Sequence, residues 1–192
     1  MPVSSCTELS KNARKTLLNL VWQVIEQALE GKGLQFPAAP ESDELLQPAA
    51  CFVTLHYEGK LRGCIGSLEA NEPLWLCACR NAYASAFEDS RFYPLTQDEW
   101  GGLSLNISIL SPLTPIENKG ELALKERLKS GEDGLLLEDD HHRAVFLPSV
   151  WETLTTPERF IEALKAKGGW PTGYWSDDIA IHLFTTEVVS SE

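Results

Sequence analysis

The chain has 192 residues, 43% of them hydrophobic and 23% charged, with a formal net charge of −12. That length can bury one sizeable core and that composition excludes wholesale disorder. The acidic balance argues against a broad nucleic-acid surface, because non-specific affinity for phosphates rests on Lys and Arg.

No apolar run approaches the roughly 18 residues that a membrane span requires. The opening Met1-Pro2-Val3-Ser4-Ser5-Cys6 lacks the basic and apolar regions of a signal peptide, so a cytoplasmic location is expected. Cys6, Cys51, Cys64, Cys77 and Cys79 are an odd number with no CxxC pair, which points to reduced thiols rather than a disulfide framework or a zinc knuckle.

Leu9, Ala13, Leu17, Leu20, Val21, Val24, Ala28 and Leu29 recur at three- and four-residue steps, predicting an amphipathic helix from Thr7 to Glu30. Phe36 to Ala50, with three prolines, reads as a connection with little regular structure. Cys51 to Tyr57 and Lys60 to Leu68 form a hairpin about the turn Glu58-Gly59. A helix capped by Asn71 runs to about Glu88 and carries a small-residue face of Ala78, Ala82 and Ala86. Thr96 and Glu99 have capping-box spacing ahead of Gly101-Gly102. Leu103 to Leu110 alternates as a half-buried strand should.

Further on, a short helix is expected around Glu121 to Lys129. A strand pair follows at Leu135 to Glu138 and Arg143 to Leu147. A helix begins at Thr156-Pro157 and ends before Gly168-Gly169, and one final strand spans Ile179 to Val189. Without regular βαβ alternation, the fold class is α+β: a largely antiparallel sheet flanked by helices, with a smaller second lobe. The expected organisation is a single domain over 1–192, with that lobe inserted at about 112–160.

The segment richest in chemistry is Leu61-Arg62-Gly63-Cys64-Ile65-Gly66, a strand holding a thiol between two glycines. It resembles the signature hexapeptide of the AMMECR family, also called AmmeMemoRadiSam system protein A. Phe52-Val53-Thr54-Leu55, Asp89 with Arg91-Phe92 and Pro94, Leu147-Pro148-Ser149-Val150, and Leu164-Lys165 up to Trp175 resemble further landmarks in order. Ser90, Ser149 and Gly169-Trp170 depart from the usual pattern. The resemblance implies an α+β fold and a role alongside a Memo-like protein and a radical S-adenosylmethionine protein, as an accessory or interaction protein. It does not supply a reaction.

Cys64 and Arg62 are candidates for catalysis, since a nearby cation favours the thiolate. Strand alternation puts them on one face if no bulge intervenes. The competing reading, a small buried cysteine with glycines that admit a packed helix, leads. With a two-residue turn, His56 pairs Leu61 and Val53 pairs Cys64, so His56 faces away from the thiol. Asp89 and Arg91 are candidates for orienting a substrate near Cys64, with Gly63, Ile65, Gly66 and Glu88 lining the motif cleft. Against this, Asp89 is a natural turn former and Arg91 a natural ion-pair partner for it.

Asp139-Asp140-His141-His142 reads as a turn between strands, so no metal site is assigned, and His182 as a satisfied, partly buried histidine. Trp170, Tyr174 and Trp175 are either recognition aromatics or a cap on the core. No phosphate loop, dinucleotide fingerprint or cluster-binding motif is present, so no cofactor is expected. Accessory protein, Cys64 enzyme and, more weakly, nucleic-acid factor are the three functional readings.

Overall fold

In the computed structural model, which describes residues 8–191, the first helix begins where Ser10 can cap it. The Ser10 hydroxyl accepts the Ala13 N–H at 3.2 Å, and α1 runs Lys11–Gln27. Ala13, Leu17, Val21, Val24 and Ile25 form its buried stripe. The helix then loosens into a π turn over Ala28–Lys32, where Gly31 takes a positive φ of 82°. The expected start at Thr7 and the thiol of Cys6 lie outside the described residues.

The proline-rich stretch holds one short turn, α2 (Asp43–Leu46), formed because it buries Leu45. The hairpin follows as β1 (Cys51–Tyr57) and β2 (Lys60–Gly66). Glu58 and Gly59 both adopt positive φ, 48° and 77°, the conformation that matches a two-residue turn to the strand twist. Helix α3 (Leu74–Phe87) starts after Pro73, not at Asn71, whose side chain donates to Glu69 instead. Thr96 and Glu99 form the anticipated capping box at the head of a 3-10 turn over Gln97–Gly102. Strand β3 (Leu103–Leu110) then buries Leu105, Ile107 and Ile109.

The remaining elements are β4 (Thr114–Ile116), α4 (Glu121–Arg127), β5 (Gly134–Glu138), β6 (Arg143–Phe146), a 3-10 turn over Pro148–Glu152, α5 (Pro157–Gly168), β7 (Ala180–Phe184) and β8 (Thr186–Ser190). Gly169 ends α5 in the left-handed conformation. The one long C-terminal strand expected over Ile179–Val189 is two strands broken at Thr185, and they belong to different sheets.

The fold is α+β with two four-stranded sheets, ordered β2-β1-β3-β8 and β4-β7-β5-β6. The chain divides accordingly: one compact unit comprises the residues up to Leu110 plus those from Glu187, the other Ser111–Thr186. In the first, α3 packs on β1 and β2 and α1 packs against α3, sharing one core with Cys51, Val53, Leu55, Leu105 and Ile107 of the sheet. In the second, Leu135, Leu137, Phe160, Ile161 and Leu164 form the core, with Trp151 stacked on Phe160 at 3.9 Å between centroids.

Candidate functional site

The hairpin register decides what the cysteine motif can do. His56 pairs Leu61 and Leu55 pairs Gly63, which leaves Arg62 as an extra residue, a β-bulge. Cys64 therefore lies opposite Thr54, not Val53 as the simple register predicts. Core-facing positions of β1 are Cys51, Val53 and Leu55, so Cys64 falls on the other face with Phe52, Thr54 and His56. The bulge thus corrects two expectations. His56 shares a face with Cys64, and alternation no longer links Arg62 to the thiol.

Gly63 explains why the strand is built this way. It faces α3, and a Cβ there would collide with the carbonyl oxygen of Ser85. At Gly66 a Cβ would meet the ring of Phe52, its cross-strand partner. The first glycine admits a helix and the second admits an aromatic ring.

Polar side chains on and just beyond α3 grip the hairpin at four-residue intervals. Asn81 donates to Cys51 O at 3.0 Å and to Ser67 Oγ at 3.3 Å. Ser85 Oγ accepts the Ile65 N–H at 2.9 Å and donates to Val53 O at 2.8 Å, bridging two facing residues. Asp89 Oδ2 accepts the Cys64 N–H at 2.9 Å. Sequence reasoning singled out the alanines of this helix and Asp89 and Glu88 at its end, but not Asn81 or Ser85. The signal it missed is the recurrence of Asn81, Ser85 and Asp89 at helical spacing.

Asp89 and Arg91 act together on the free edge of β2. The Arg91 guanidinium donates to Asp89 through Nε at 3.0 Å and Nη2 at 2.7 Å, and Nη2 also reaches Cys64 O at 3.4 Å. The backbone donor and acceptor of Cys64 are therefore both taken by this loop, as an adjoining strand would take them. The guanidinium holds the Asp89 carboxyl well below the usual carboxylate range.

Arg62 is engaged elsewhere. Its Nε donates to Glu99 Oε1 at 2.5 Å, and its Nη2 to Glu99 Oε2 at 3.1 Å and to Tyr93 O at 2.9 Å. This bidentate pair, helped by the Thr96 N–H and hydroxyl, lowers the Glu99 carboxyl to about 2. Glu99 was legible as a cap but not as the partner of Arg62. Around the half-buried Cys64 Sγ, the hydrogen-bonding neighbour is Thr54 Oγ1 at 3.2 Å. Ile65 is half-buried opposite Val53, and Glu88 is exposed at the end of α3.

In the second unit the aromatic candidates separate. Trp170 is 4% exposed and donates its indole N–H to Asp139 Oδ2 at 2.6 Å, so its ring belongs to the core and is not offered to a partner. Trp175 is half-buried and donates to Asn118 Oδ1 at 3.1 Å, while Tyr174 is exposed. Lys165 is buried beside them, held by Glu121 Oε2 at 2.6 Å and Tyr174 O at 3.0 Å. Asp139 accepts the N–H groups of His141 and His142, which is the behaviour of a turn. His182 differs from expectation: its Nδ1 is buried without a hydrogen-bond partner, with Glu138 Oε1 4.0 Å away.

The AMMECR1 family profile matches residues 18–189. The chain belongs to the AMMECR1 family. A protein from Aquifex aeolicus is 31% identical, the match covering 91% of this chain and 90% of that protein. A protein from Methanocaldococcus jannaschii is 33% identical over 86% of this chain and 83% of its own length. The crystal structure of the uncharacterized protein PH0010 from Pyrococcus horikoshii superposes with a TM-score of 0.89 at 28% identity, covering 96% and 94% of the two chains. Among the described residues no helix is long and apolar enough to cross a membrane.

Proposed function

We propose that this AMMECR1-family chain is a cytoplasmic accessory protein that binds a Memo-like protein and a radical S-adenosylmethionine protein and performs no chemistry of its own. One observation carries the reading: the groups that catalysis at Cys64 would recruit are already committed. Asp89 is consumed by the Cys64 N–H and Arg91, and Arg62 by Glu99 and Tyr93 O. A hydroxyl, not a base, adjoins the thiol. The motif then serves as scaffolding for the loop after α3, which holds the Tyr93 side chain 91% exposed between the anchored Arg91 and Pro94. An exposed aromatic on an anchored loop suits protein recognition.

The test is a binding titration of the whole chain against each of the two protein classes taken from the same organism. Binding to at least one is expected, unchanged by Cys64→Ala and weakened tenfold or more by Tyr93→Ala. No binding at micromolar concentrations of either protein, or loss of binding on Cys64→Ala alone, would overturn the reading.

One observation favours a second reading, in which Cys64 is a nucleophile or thiol ligand toward a small substrate: the bulge brings Thr54, His56 and Cys64 to one face. Residue-resolved alkylation against pH separates the two. Fast labelling of Cys64 in the folded protein with a depressed apparent pKa supports the enzyme, and labelling at the rate of a free thiol supports the accessory protein.

A further inference from the structure

The buried stripe of α3 carries one half of a sulfur pair that the motif does not involve. Cys51 opens β1 and Cys77 lies in the first turn of α3, and their Sγ atoms are 3.6 Å apart with the Cys51 thiol donating to Cys77. Both side chains are buried, and both are free thiols. A disulfide needs about 2.05 Å between sulfurs, a gap that small side-chain rotations close when the sulfurs already touch.

We propose that Cys51 and Cys77 form an oxidisable dithiol, converted by a hydroperoxide into a disulfide that staples the start of α3 to the start of β1. The inference stands apart from the accessory role and does not depend on it.

The surroundings assign the two sulfurs different parts. Asn81 Nδ2 donates to Cys77 Sγ at 3.3 Å. The thiol and backbone N–H of Cys51 stabilise a thiolate at Cys77, lowering its pKa, while the same thiol contact and burial push Cys51 up. Cys79, two residues on and without such partners, is pushed up by burial to about 12. Cys77 is therefore the attacking sulfur. Its thiolate attacks the hydroxyl oxygen of the hydroperoxide and breaks the O–O bond, giving a Cys77 sulfenic acid and an alkoxide, or hydroxide when the oxidant is hydrogen peroxide. The Cys51 sulfur then attacks the Cys77 sulfur, expelling the sulfenic oxygen as hydroxide. The two thiol protons neutralise the two leaving groups, so two thiols and one hydroperoxide give one disulfide, one water and one alcohol, or a second water from hydrogen peroxide.

Oxidation would fix α3 in register against the hairpin, because Asn81, Ser85 and Asp89 continue from Cys77 along the same face to the backbone of Cys51, Val53, Ile65 and Cys64.

The test treats the folded full-length chain with hydrogen peroxide, blocks remaining thiols, and maps the unreduced digest by mass spectrometry. Fragmentation must resolve Cys77 from Cys64 and Cys79 on their shared tryptic peptide. The expected product joins Cys51 to Cys77, weighs two hydrogens less than the thiol peptides, and reverts with dithiothreitol. Cys51→Ser is expected to leave a dimedone-reactive sulfenic acid at Cys77, and Cys79→Ala to leave the crosslink intact. In the wild-type chain the amides of Cys64 and Ile65 should exchange more slowly after oxidation. Recovery of both thiols unmodified from the folded protein while Cys64 is oxidised, or a crosslink formed only in denaturant, overturns the proposal.

Discussion

Replacing Asp89 by Ala tests whether the loop after α3 is a clamp or a catalytic arm. The carboxylate is 4% exposed and accepts four donors, from the Cys64 N–H, the Arg91 N–H and the Arg91 guanidinium. Leaving the Cys64 N–H without an acceptor costs about 1–3 kcal/mol where water cannot replace it. The Arg91 side chain is 54% exposed and rehydrates, so its loss adds only about 1 kcal/mol, well short of a buried pair. Asp89→Ala should therefore destabilise the first unit by about 2–4 kcal/mol, whereas Arg91→Ala should cost about 1 kcal/mol. Urea denaturation gives the global figure, and hydrogen exchange at the Cys64 amide gives the local one. At about 1.4 kcal/mol per decade, that amide should exchange roughly 30- to 700-fold faster in Asp89→Ala. A loss below about 0.5 kcal/mol with unchanged exchange at Cys64 would refute the clamp, because surface substitutions alone reach that figure.

Gly63→Ala drives a Cβ into the Ser85 carbonyl and should cost about 1–3 kcal/mol by urea denaturation, with Ser85→Ala failing to relieve it because the obstacle is backbone. Glu99 is held at about 2, below its ordinary value near 4.5, so it stabilises the fold above pH 4.5 and that contribution disappears as pH falls from about 4.5 to 2. It is worth at most about 3 kcal/mol, and Glu99→Gln should flatten the urea midpoint against pH in that window. Trp170→Phe removes the indole N–H that Asp139 accepts and should cost about 1–2 kcal/mol, whereas Tyr93→Ala, at a fully solvated ring, should stay within about 0.5 kcal/mol of the parent.

Much of the fold could be read from periodicity. Leu103–Leu110 alternates cleanly and is a strand, and Thr156-Pro157 and Gly169 bracket α5 at both ends. What escaped depends on contacts distant in sequence. The bulge at Arg62 was marked only as a possibility by the glycine beside it, because what turns Gly63 inward is the carbonyl of Ser85, 22 residues later. That single shift changed the face on which Cys64 lies and therefore its neighbours. Similarly, Ile179–Val189 is one continuous run of strand formers, and nothing in it announces that its halves join different sheets. The glycines were the reliable clue: they marked close approach, and close approach is what they permit. Trp170 stayed open between recognition and core, because an aromatic cluster in a loop does not say which ring is buried.

The division of the last strands has a consequence for synthesis. Strand β8 flanks β3, and Leu105 bonds Ser191 through both its N–H and its carbonyl, yet the chain between the two strands is the whole of 111–185. On a ribosome adding roughly 5–20 residues per second, β3 therefore waits about 4–15 s with one edge unpaired after it emerges. During that interval the nascent sheet is three strands wide and open to pairing with a neighbouring chain, until β8 leaves the tunnel and covers the edge of β3.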